Sequence, residues 1–411
     1  MNHSKKQQPW ALLFVAAMSF VCPMTQADSV TDCSTIACEI VADAKLGAPP
    51  ANRVLAIVHT AVYEAVNAIT KRYPDSLYQL EPVPGASVDA AVAAASHATL
   101  AKLVPSQLAV IDSAYHAALA SITDGNAKTT GIEVGEKAAA ATLALRFDDG
   151  AAVGETYRPH TTAGVYVPTA IPIVSQWPQR KPWLMPSPSQ FRPGPPPALT
   201  SELWARDYNE IKAVGAKNSI RRTAEQTEIA RFWETTLPSI YHGVVRSVAE
   251  LPGREVTQNA RLFAAVTQAI DDAMIAIFDA KYHYNFWRPI TAIRNGDIDG
   301  NNATERDSSW APFIETPMHP EYPCAHCIVA AAVSAVLEAE IGSGLTPTLT
   351  TTSATANGAT RRWTRFDDFV QEVANARIYD GVHYRNSTEV GTAMGKQIGK
   401  LAVSKYLLSS K

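Results

Sequence analysis

Cysteine is scarce in this sequence, with five residues among 411, which excludes a small domain built around disulfides. Cys22 lies near the N-terminus, and the other four form two close pairs. Cys33 and Cys38 are predicted to form a local disulfide, because an even number of cysteines in an oxidising compartment favours pairing. Cys324 and Cys327 leave three alternatives open: a disulfide, two free thiols or part of a metal site. Zinc would need two further ligands, and the body of the chain has no second pair to supply them.

A charge excess and long apolar runs are also absent. Charged residues make up 18% of the chain, and the formal net charge is −3. Binding to nucleic acid or to an anionic membrane surface is therefore not the expected main function. Beyond the N-terminal region, no stretch is long and apolar enough to cross a membrane. We expect small-molecule partners, no nucleic acid and no membrane span in the mature chain, with a homo-oligomer left open.

The N-terminal segment, residues 1–27, has the pattern of a secretory signal peptide. Lys5 and Lys6 precede an apolar run from Trp10 to Val21, and small residues precede a cleavage site predicted after Ala27. Cleavage there would remove two lysines and no acid, so the formal charge would change from −3 to −5. We therefore predict a secreted or periplasmic protein.

Strand signals are few, and apolar residues at helical spacing dominate the rest of the chain. The sequence predicts an all-α fold in which residues 28–411 form a single domain. His59, His97 and His116 lie on the N-terminal helices and are interpreted as structural. The predicted helices cover 51–72, 87–122 as two helices around Pro105, 131–148, 200–215, 223–250, 255–283, a segment ending near 340, 364–377 and 387–408. Residues 341–362 are rich in Gly, Thr and Ser and are predicted to be loop.

Proline and glycine become dense between residues 149 and 199, which excludes regular structure there. A linker between two domains is one interpretation. A long ordered loop packed on a helical body is favoured, because helices resume on both sides and Tyr166, Trp177 and Trp183 are suited to anchor it. Loops of this length in compact domains are often functional.

Three short segments carry the residues suited to bind an anion. Lys281 and Arg288 are seven residues apart, which is close to two helical turns, so they are predicted to share a face of a helix that Pro289 ends. Pro323 precedes a helix whose first N–H groups, near Ala325 and His326, would lack partners. Asp380-Gly381 is a natural helix stop, which would let the chain turn back and bring His383 beside Arg377.

These segments resemble the signature of the vanadium-dependent haloperoxidases and the related type 2 phosphatidic acid phosphatases. The signature reads Lys-x6-Arg-Pro, then Pro-Ser-Gly-His, then Ser-Arg-x5-His, and the matching positions occur in that order. The resemblance covers residues 255–405, and the sequences around 285–289 and 381–385 look like the haloperoxidase branch. It implies a helical bundle of the haloperoxidase/acid phosphatase type. The matching residues are Lys281, Arg288, Pro289, Pro323, His326, Arg377 and His383.

The resemblance also implies a vanadate cofactor and a role for each matching residue. His383 would bind vanadium, and His326 would act as acid and base. Lys281, Arg288 and Arg377 would neutralise the oxyanion, with help from the backbone N–H of Ala325. Lys281 would in addition polarise bound peroxide, so the implied catalytic residues are His326, His383 and Lys281. The implied reaction is the oxidation of a halide by hydrogen peroxide.

Two other functions stay open at this point. A secreted phosphatase would use the same residues without a cofactor, with His383 attacking phosphorus and His326 protonating the leaving oxygen. A catalytically impaired oxyanion-binding protein is the third alternative. It rests on departures from the signature, because Cys324 and Ala325 replace Ser and Gly. Two further departures are Ala376 in place of Ser and Ser387 where haloperoxidases often have Asp. His319 matches the bromide-oxidising members, which favours bromide or iodide over chloride.

Overall fold

The computed structural model describes residues 28–74, 77–78, 80–342 and 344–408, so the predicted signal peptide lies outside it. Helices dominate this part of the chain, as predicted, and none of its helices has the length and apolar character needed to span a membrane. The helices are α1 (Ser29–Asp43), α2 (Ala48–Thr70), α3 (Val88–Leu103), α4 (Leu108–Ala120), α5 (Asn126–Leu145), α6 (Glu202–Val214), α7 (Ala224–Phe232), α8 (Pro238–Ala249), α9 (Val256–Tyr284), α10 (Pro289–Arg294), α11 (Ala325–Ile341), α12 (Phe366–Tyr379) and α13 (Arg385–Val403).

Helix α9 lies at the centre of the fold, because residues on every side of it are buried between Ala260 and Lys281. A helix that is apolar all round needs neighbours on all sides. Here α2, α11 and α13 supply them. Helices α11 and α13 approach closely where α13 carries glycine. A Cβ atom at Gly395 would lie 2.2 Å from the carbonyl oxygen of Ile328, so only glycine allows this contact.

The long loop between α5 and α6 packs on the helical body, as favoured from the sequence. Its only regular piece among the described residues is a short 3-10 turn, Trp177–Gln179. Tyr166 and Trp177 are buried, and Trp183 donates its indole N–H to Asp271 on α9 at 2.8 Å. The loop also crosses the site region, since the backbone N–H of Tyr166 donates to the carbonyl oxygen of Asn285.

Helix α9 ends within one residue of its predicted bound of 283, but Arg288, which was predicted to lie on it, does not. The helix ends at Tyr284, and Asn285 adopts a left-handed conformation (φ 50°). Arg288 then caps the start of α10, in which Pro289 is the first residue. Pro289 therefore begins a helix and does not end one, in keeping with the preference of proline for the first helical position.

Three further predictions need correction. Residues 223–250 form two helices, because Pro238 starts α8. The Thr- and Ser-rich segment after α11 is not only loop: it contains an antiparallel hairpin of β1 (Leu349–Ser353) and β2 (Ala359–Trp363). The Cys33–Cys38 disulfide is wrong, since both thiols are free. They lie on α1, where a spacing of five residues turns their side chains about 140° apart.

Candidate oxyanion site

Two of the three segments singled out in the sequence meet at one cavity of about 330 Å³, and the segment that carries Lys281 and Arg288 lies behind its wall. The end of α9, the turn into α11 and the turn from α12 to α13 approach it, and the segment between α7 and α8 closes another side. Ala325, His326, Arg377 and His383 line the cavity directly. The rest of the wall is formed by Gly47, Ala48, Pro49, Ile173, Glu234, Thr235, Thr236, Leu237, Met274, Phe278, Pro317 and His319.

Helix α11 starts at the cavity. Tyr322–Pro323 is a cis peptide, Cys324 occupies the N-cap, and Ala325 is the first helical residue. The backbone N–H of Cys324 donates to the carbonyl oxygen of Ser387 at 3.1 Å, which ties this turn to α13. The following N–H groups have no carbonyl within the helix to bind, so the wall near Ala325 carries partial positive charge. The helix start predicted from Pro323 is thus present at the site.

Lys281 and Arg288 are buried behind one wall of the cavity and are not part of its lining. The ammonium of Lys281 donates to the carbonyl oxygens of Pro320 (3.0 Å) and Glu321 (2.7 Å). The guanidinium of Arg288 donates to the carbonyl oxygens of His319 (2.9 Å) and Val382 (2.8 Å). Both cations therefore hold the two segments that carry the site histidines.

Burial destabilises these two charges. Burial and the neighbouring charge of Arg288 lower the pKa of the Lys281 ammonium well below its ordinary value. Burial likewise lowers the pKa of Arg288 to about 10, although Glu321 opposes the shift. An anion near them would favour their charged forms and offset this cost.

Arg377 reaches the cavity from the last turn of α12. The helix stops at Asp380-Gly381, where Gly381 has a φ of 80°, and the N–H of His383 donates to the carbonyl oxygen of Arg377 at 3.2 Å. The predicted reversal therefore brings His383 beside Arg377. One guanidinium nitrogen donates to Trp233 and Asp380, while Nε has no partner among the described residues. A buried donor without a partner beside a cavity calls for a ligand acceptor.

Glu321 orients His383. Its Oε1 lies 2.7 Å from Nδ1 of His383 and also accepts the backbone N–H of Tyr384 at 3.1 Å. With Nδ1–H donating to this carboxylate, the other ring nitrogen, Nε2, carries the lone pair that can bind a metal. In this structure that lone pair accepts a hydrogen bond from Arg288. The Nε2 atom lies 3.4 Å from the Arg288 guanidinium. Burial raises the pKa of Glu321 to about 7 against the charges of Lys281 and Arg288.

His326 and His319 face the cavity from two sides. Burial and the charge of Arg377 lower the pKa of His326 well below its ordinary value, so the imidazole is neutral in the free protein. Its Nε2 has no partner among the described residues. His319 contacts Arg288, with Nδ1 3.0 Å from the guanidinium, and its ring packs edge-on against Phe278.

Cys324 and Cys327 are free thiols in direct contact, with their sulfurs 2.9 Å apart. Burial acts to raise the pKa of Cys324, but the hydrogen bond with Cys327 and the charge of Arg377 outweigh it and lower the pKa to about 7. Burial raises the pKa of Cys327 well above its ordinary value. Of the alternatives left open by the sequence, the structure shows two free thiols.

The charges around the cavity favour an oxyanion. Three buried cations face two buried carboxylates, Glu321 and Asp380, and burial raises the pKa of Asp380 to about 7 despite its contact with Arg377. No three His, Cys, Asp or Glu side chains in the described part of the chain converge to hold a metal cation. A vanadate or phosphate ion fits this donor set, because the unpartnered Nε of Arg377, the helix start and the lone pair of His383 all suit a small oxyanion.

The sequence missed several residues of this site. Glu321 was not recognised, although it stands two residues before Pro323, because nothing in its neighbourhood marks it as the partner of His383. Asp380 was seen only as a helix stop and not as the partner of Arg377. The segment from Trp233 to Leu237 carries no chemical signature, and only the packing of α7 and α8 brings it to the cavity.

Comparison with known proteins agrees with this geometry. Residues 261–409 match the family described as the VCPO second helical-bundle domain. Vanadium chloroperoxidase from Curvularia inaequalis is 30% identical over 172 residues, which is 34% of this chain and 28% of that protein. The aligned part thus spans little more than a quarter of this relative.

Solved structures extend the likeness to nearly the whole chain. The first bacterial vanadium-dependent iodoperoxidase superposes with a TM-score of 0.79 at 25% identity, covering 92% of this chain and 95% of the other. A bacterial vanadium-dependent chloroperoxidase in its apo form gives a TM-score of 0.70 at 17% identity, with 89% and 95% coverage, and supports the fold alone. The resemblance predicted from the three motifs is confirmed: residues 261–409 match a domain of the vanadium chloroperoxidases, and the fold of nearly the whole chain is similar to that of a vanadium-dependent iodoperoxidase.

Proposed function

We propose that the protein is a vanadium-dependent haloperoxidase that oxidises a halide with hydrogen peroxide. The observation that carries this proposal is the convergence of Arg377, His383 and the start of α11 on one cavity backed by Lys281 and Arg288. Two of the relatives named above, an iodoperoxidase and the chloroperoxidase from Curvularia inaequalis, support the same class of reaction.

The residues present would hold vanadate as an oxyanion with one protein ligand. His383 would supply its Nε2 lone pair, and Glu321 keeps the proton on the opposite nitrogen. Arg377 would donate from its free Nε, and the N–H near Ala325 would add a backbone donor. When bound, vanadate supplies a Lewis-acidic centre that activates hydrogen peroxide without a change of oxidation state.

The remaining residues manage protons, charge and water. His326 lines the cavity and its imidazole is neutral, so it would accept a proton from peroxide and return it to a departing oxygen. Lys281 lies behind the cavity wall and donates to two carbonyl oxygens, so it would act on the reacting oxygens through its charge. Met274, Phe278 and Leu237 supply an apolar wall that strengthens these interactions by excluding water.

Bromide or iodide is the proposed halide. His319 lines the cavity and contacts Arg288, so a polar ring stands where a halide would approach. Rates of peroxide-dependent halogenation with iodide, bromide and chloride would test this preference. Faster turnover of chloride than of the other two halides would reject it.

The enzymatic proposal is tested by two assays on one preparation of the mature protein. Bromination or iodination of a phenol dye is measured with peroxide, with and without vanadate, and hydrolysis of p-nitrophenyl phosphate is measured in parallel. We expect halogenation that requires vanadate and is abolished by His383→Ala. Hydrolysis that vanadate inhibits, without halogenation, would replace the proposal by the phosphatase alternative. Tight vanadate binding with neither activity would indicate an oxyanion-binding protein.

We also propose export through cleavage after Ala27, based on the sequence of residues 1–27 alone. N-terminal sequencing of protein recovered from the periplasm or the medium should begin at Asp28. Recovery of the intact chain from the cytoplasm would contradict export.

A further inference from the structure

Cys324 and Cys327 form a dithiol that the proposed reaction does not use. Cys324 caps α11, and Cys327 is the third residue of that helix, so the two sulfurs project from the same turn. They already lie 2.9 Å apart, and a disulfide requires them to move roughly 1 Å closer. The other two buried thiols, Cys33 and Cys38, have no such partner: Cys33 contacts the hydroxyl of Ser96.

The two cysteines are fully buried, and the cavity wall formed by Ala325 and His326 lies next to them in the chain. On one side the dithiol packs against Ala374 of α12 and against α13. A Cβ atom at Gly391 would lie 2.5 Å from the carbonyl oxygen of Cys324 and 3.3 Å from Cβ of Cys327, so α13 is in close contact there. On the other side the chain continues directly into Ala325 and His326, which line the cavity.

We propose that Cys324 and Cys327 are a second peroxide-reactive site, which hydrogen peroxide converts into a disulfide and a dithiol reductant restores. The Cys324 sulfur attacks one peroxide oxygen, the O–O bond breaks, and the departing hydroxide takes a proton to form water. The Cys327 sulfur then attacks the resulting sulfenic sulfur and expels the second oxygen as water. The two thiols lose two electrons and two protons in all, and one peroxide becomes two waters.

The inference goes beyond the proposed function and does not depend on it, since neither vanadate nor halide takes part. An oxyanion in the cavity should also protect the two thiols, because the bound ion would occupy the route by which peroxide reaches them. Orthophosphate is the probe for this effect, as it resembles vanadate in shape and charge but does not react with peroxide.

The test treats the reduced mature protein with hydrogen peroxide in the absence of vanadate. The protein is then denatured, alkylated and analysed by peptide mass spectrometry. We expect the peptide that carries both Cys324 and Cys327 to lose two hydrogens and to escape alkylation, and dithiothreitol to reverse this loss. Cys33 and Cys38 should remain fully alkylated, which makes them the internal control.

Two further measurements complete the test. Cys327→Ser should abolish the disulfide and leave Cys324 to oxidise irreversibly, and saturating orthophosphate should slow disulfide formation in the wild type several-fold. All four thiols alkylated after peroxide treatment, or oxidation of Cys33 and Cys38 at the same rate, would overturn the proposal. Equal rates of disulfide formation with and without orthophosphate would show that peroxide does not enter through the cavity.

Discussion

Two groups of buried charges lie against helix α9, and they are built in opposite ways. In the first, which we call the loop anchor, Arg180 of the long loop binds Asp271 (2.6 Å) and Asp149 (2.8 Å). In the second, the oxyanion site, Lys281 and Arg288 bind mainly backbone carbonyl oxygens. In the loop anchor the cation is paired with carboxylates. At the oxyanion site, three buried cations have only two buried carboxylates near them.

The pKa shifts of the two groups run in opposite directions. In the anchor, burial acts against the charge of Arg180, but Asp271 outweighs it and raises the pKa of the guanidinium. Burial also acts to raise the pKa of Asp149, but Arg180 and Arg53 outweigh it and lower that pKa to about 2. At the site, burial prevails and lowers the pKa of Lys281 and Arg288.

This difference separates a structural charge cluster from a binding cluster. A buried charge that the fold has already paired is costly only when its partner is removed, whereas one that the fold leaves short of a partner is stabilised by a ligand. The same α9 thus supplies Asp271 to hold the loop and Lys281 to hold an anion.

Removing the central cation of the anchor should have the largest effect on stability. Arg180→Met leaves Asp271 buried without its main partner, and we expect the free energy of unfolding to fall by about 3–5 kcal/mol. Urea denaturation measures the change. Arg306→Met is the matched control, since Arg306 is half exposed and pairs with Asp297 at 3.6 Å, and a change below about 1 kcal/mol is expected. Equal losses of unfolding free energy in the two variants would mean that the buried ion pair contributes no more than the exposed one.

Ligand-linked stabilisation should depend on the site and not on the anchor. Orthophosphate at about 100 times its dissociation constant should raise the free energy of unfolding of the wild type by about 2.7 kcal/mol. Arg288→Met should lose most of this increment at the same phosphate concentration, because one of the three cations is gone. Arg180→Met should keep it. An increment that survives in Arg288→Met would show that the site charges do not bind the anion.

The Glu321–His383 contact should set the affinity for vanadate. Glu321→Gln removes the carboxylate that holds the proton on Nδ1, and we expect vanadate affinity to fall by about 10–100-fold, as for other partners of metal-binding histidines. Titration calorimetry measures it without turnover. Ser387→Ala is the comparison and should give a smaller loss, because its hydroxyl is 3.5 Å from Nδ1 and acts mainly through its hydrogen bond with Glu321. A larger loss of vanadate affinity in Ser387→Ala than in Glu321→Gln would contradict the role of Glu321 in orienting His383.

The acid side of the stability profile should report the anchor. The folded pKa of Asp149, about 2, lies below its ordinary value of 3.8, so its contribution is present above about pH 4 and is lost as the pH falls through about 2. The difference amounts to at most about 2.5 kcal/mol. Asp149→Asn should flatten this part of the profile in acid titrations of the unfolding free energy. An unchanged slope would mean that other carboxylates dominate it.

Much of the fold could be predicted from local patterns. Helices with strong apolar periodicity, such as α2 and α12, lie close to their predicted bounds, because apolar residues recur along them at helical spacing. The separation of Arg288 from α9 could not be predicted, since Asn285 stops the helix through a left-handed conformation before Arg288 is reached. The hairpin of β1 and β2 was hidden in a Thr-rich segment without clear alternation.

The sequence by itself determined the set of residues that could bind an oxyanion and the superfamily to which they point. Lys281, Arg288, His326, Arg377 and His383 are marked by their spacing from proline, glycine and helix ends, all of which are local properties. Residue spacing also carried the prediction of a mostly helical chain.

Only the tertiary structure decided how those residues are used. It placed Lys281 and Arg288 behind the cavity wall, paired His383 with Glu321 and brought the sulfurs of Cys324 and Cys327 into contact. These are contacts between packed elements, most of them distant in sequence. The energies of these contacts depend on burial and on which residues the fold brings together. The spacing of residues within one segment encodes neither.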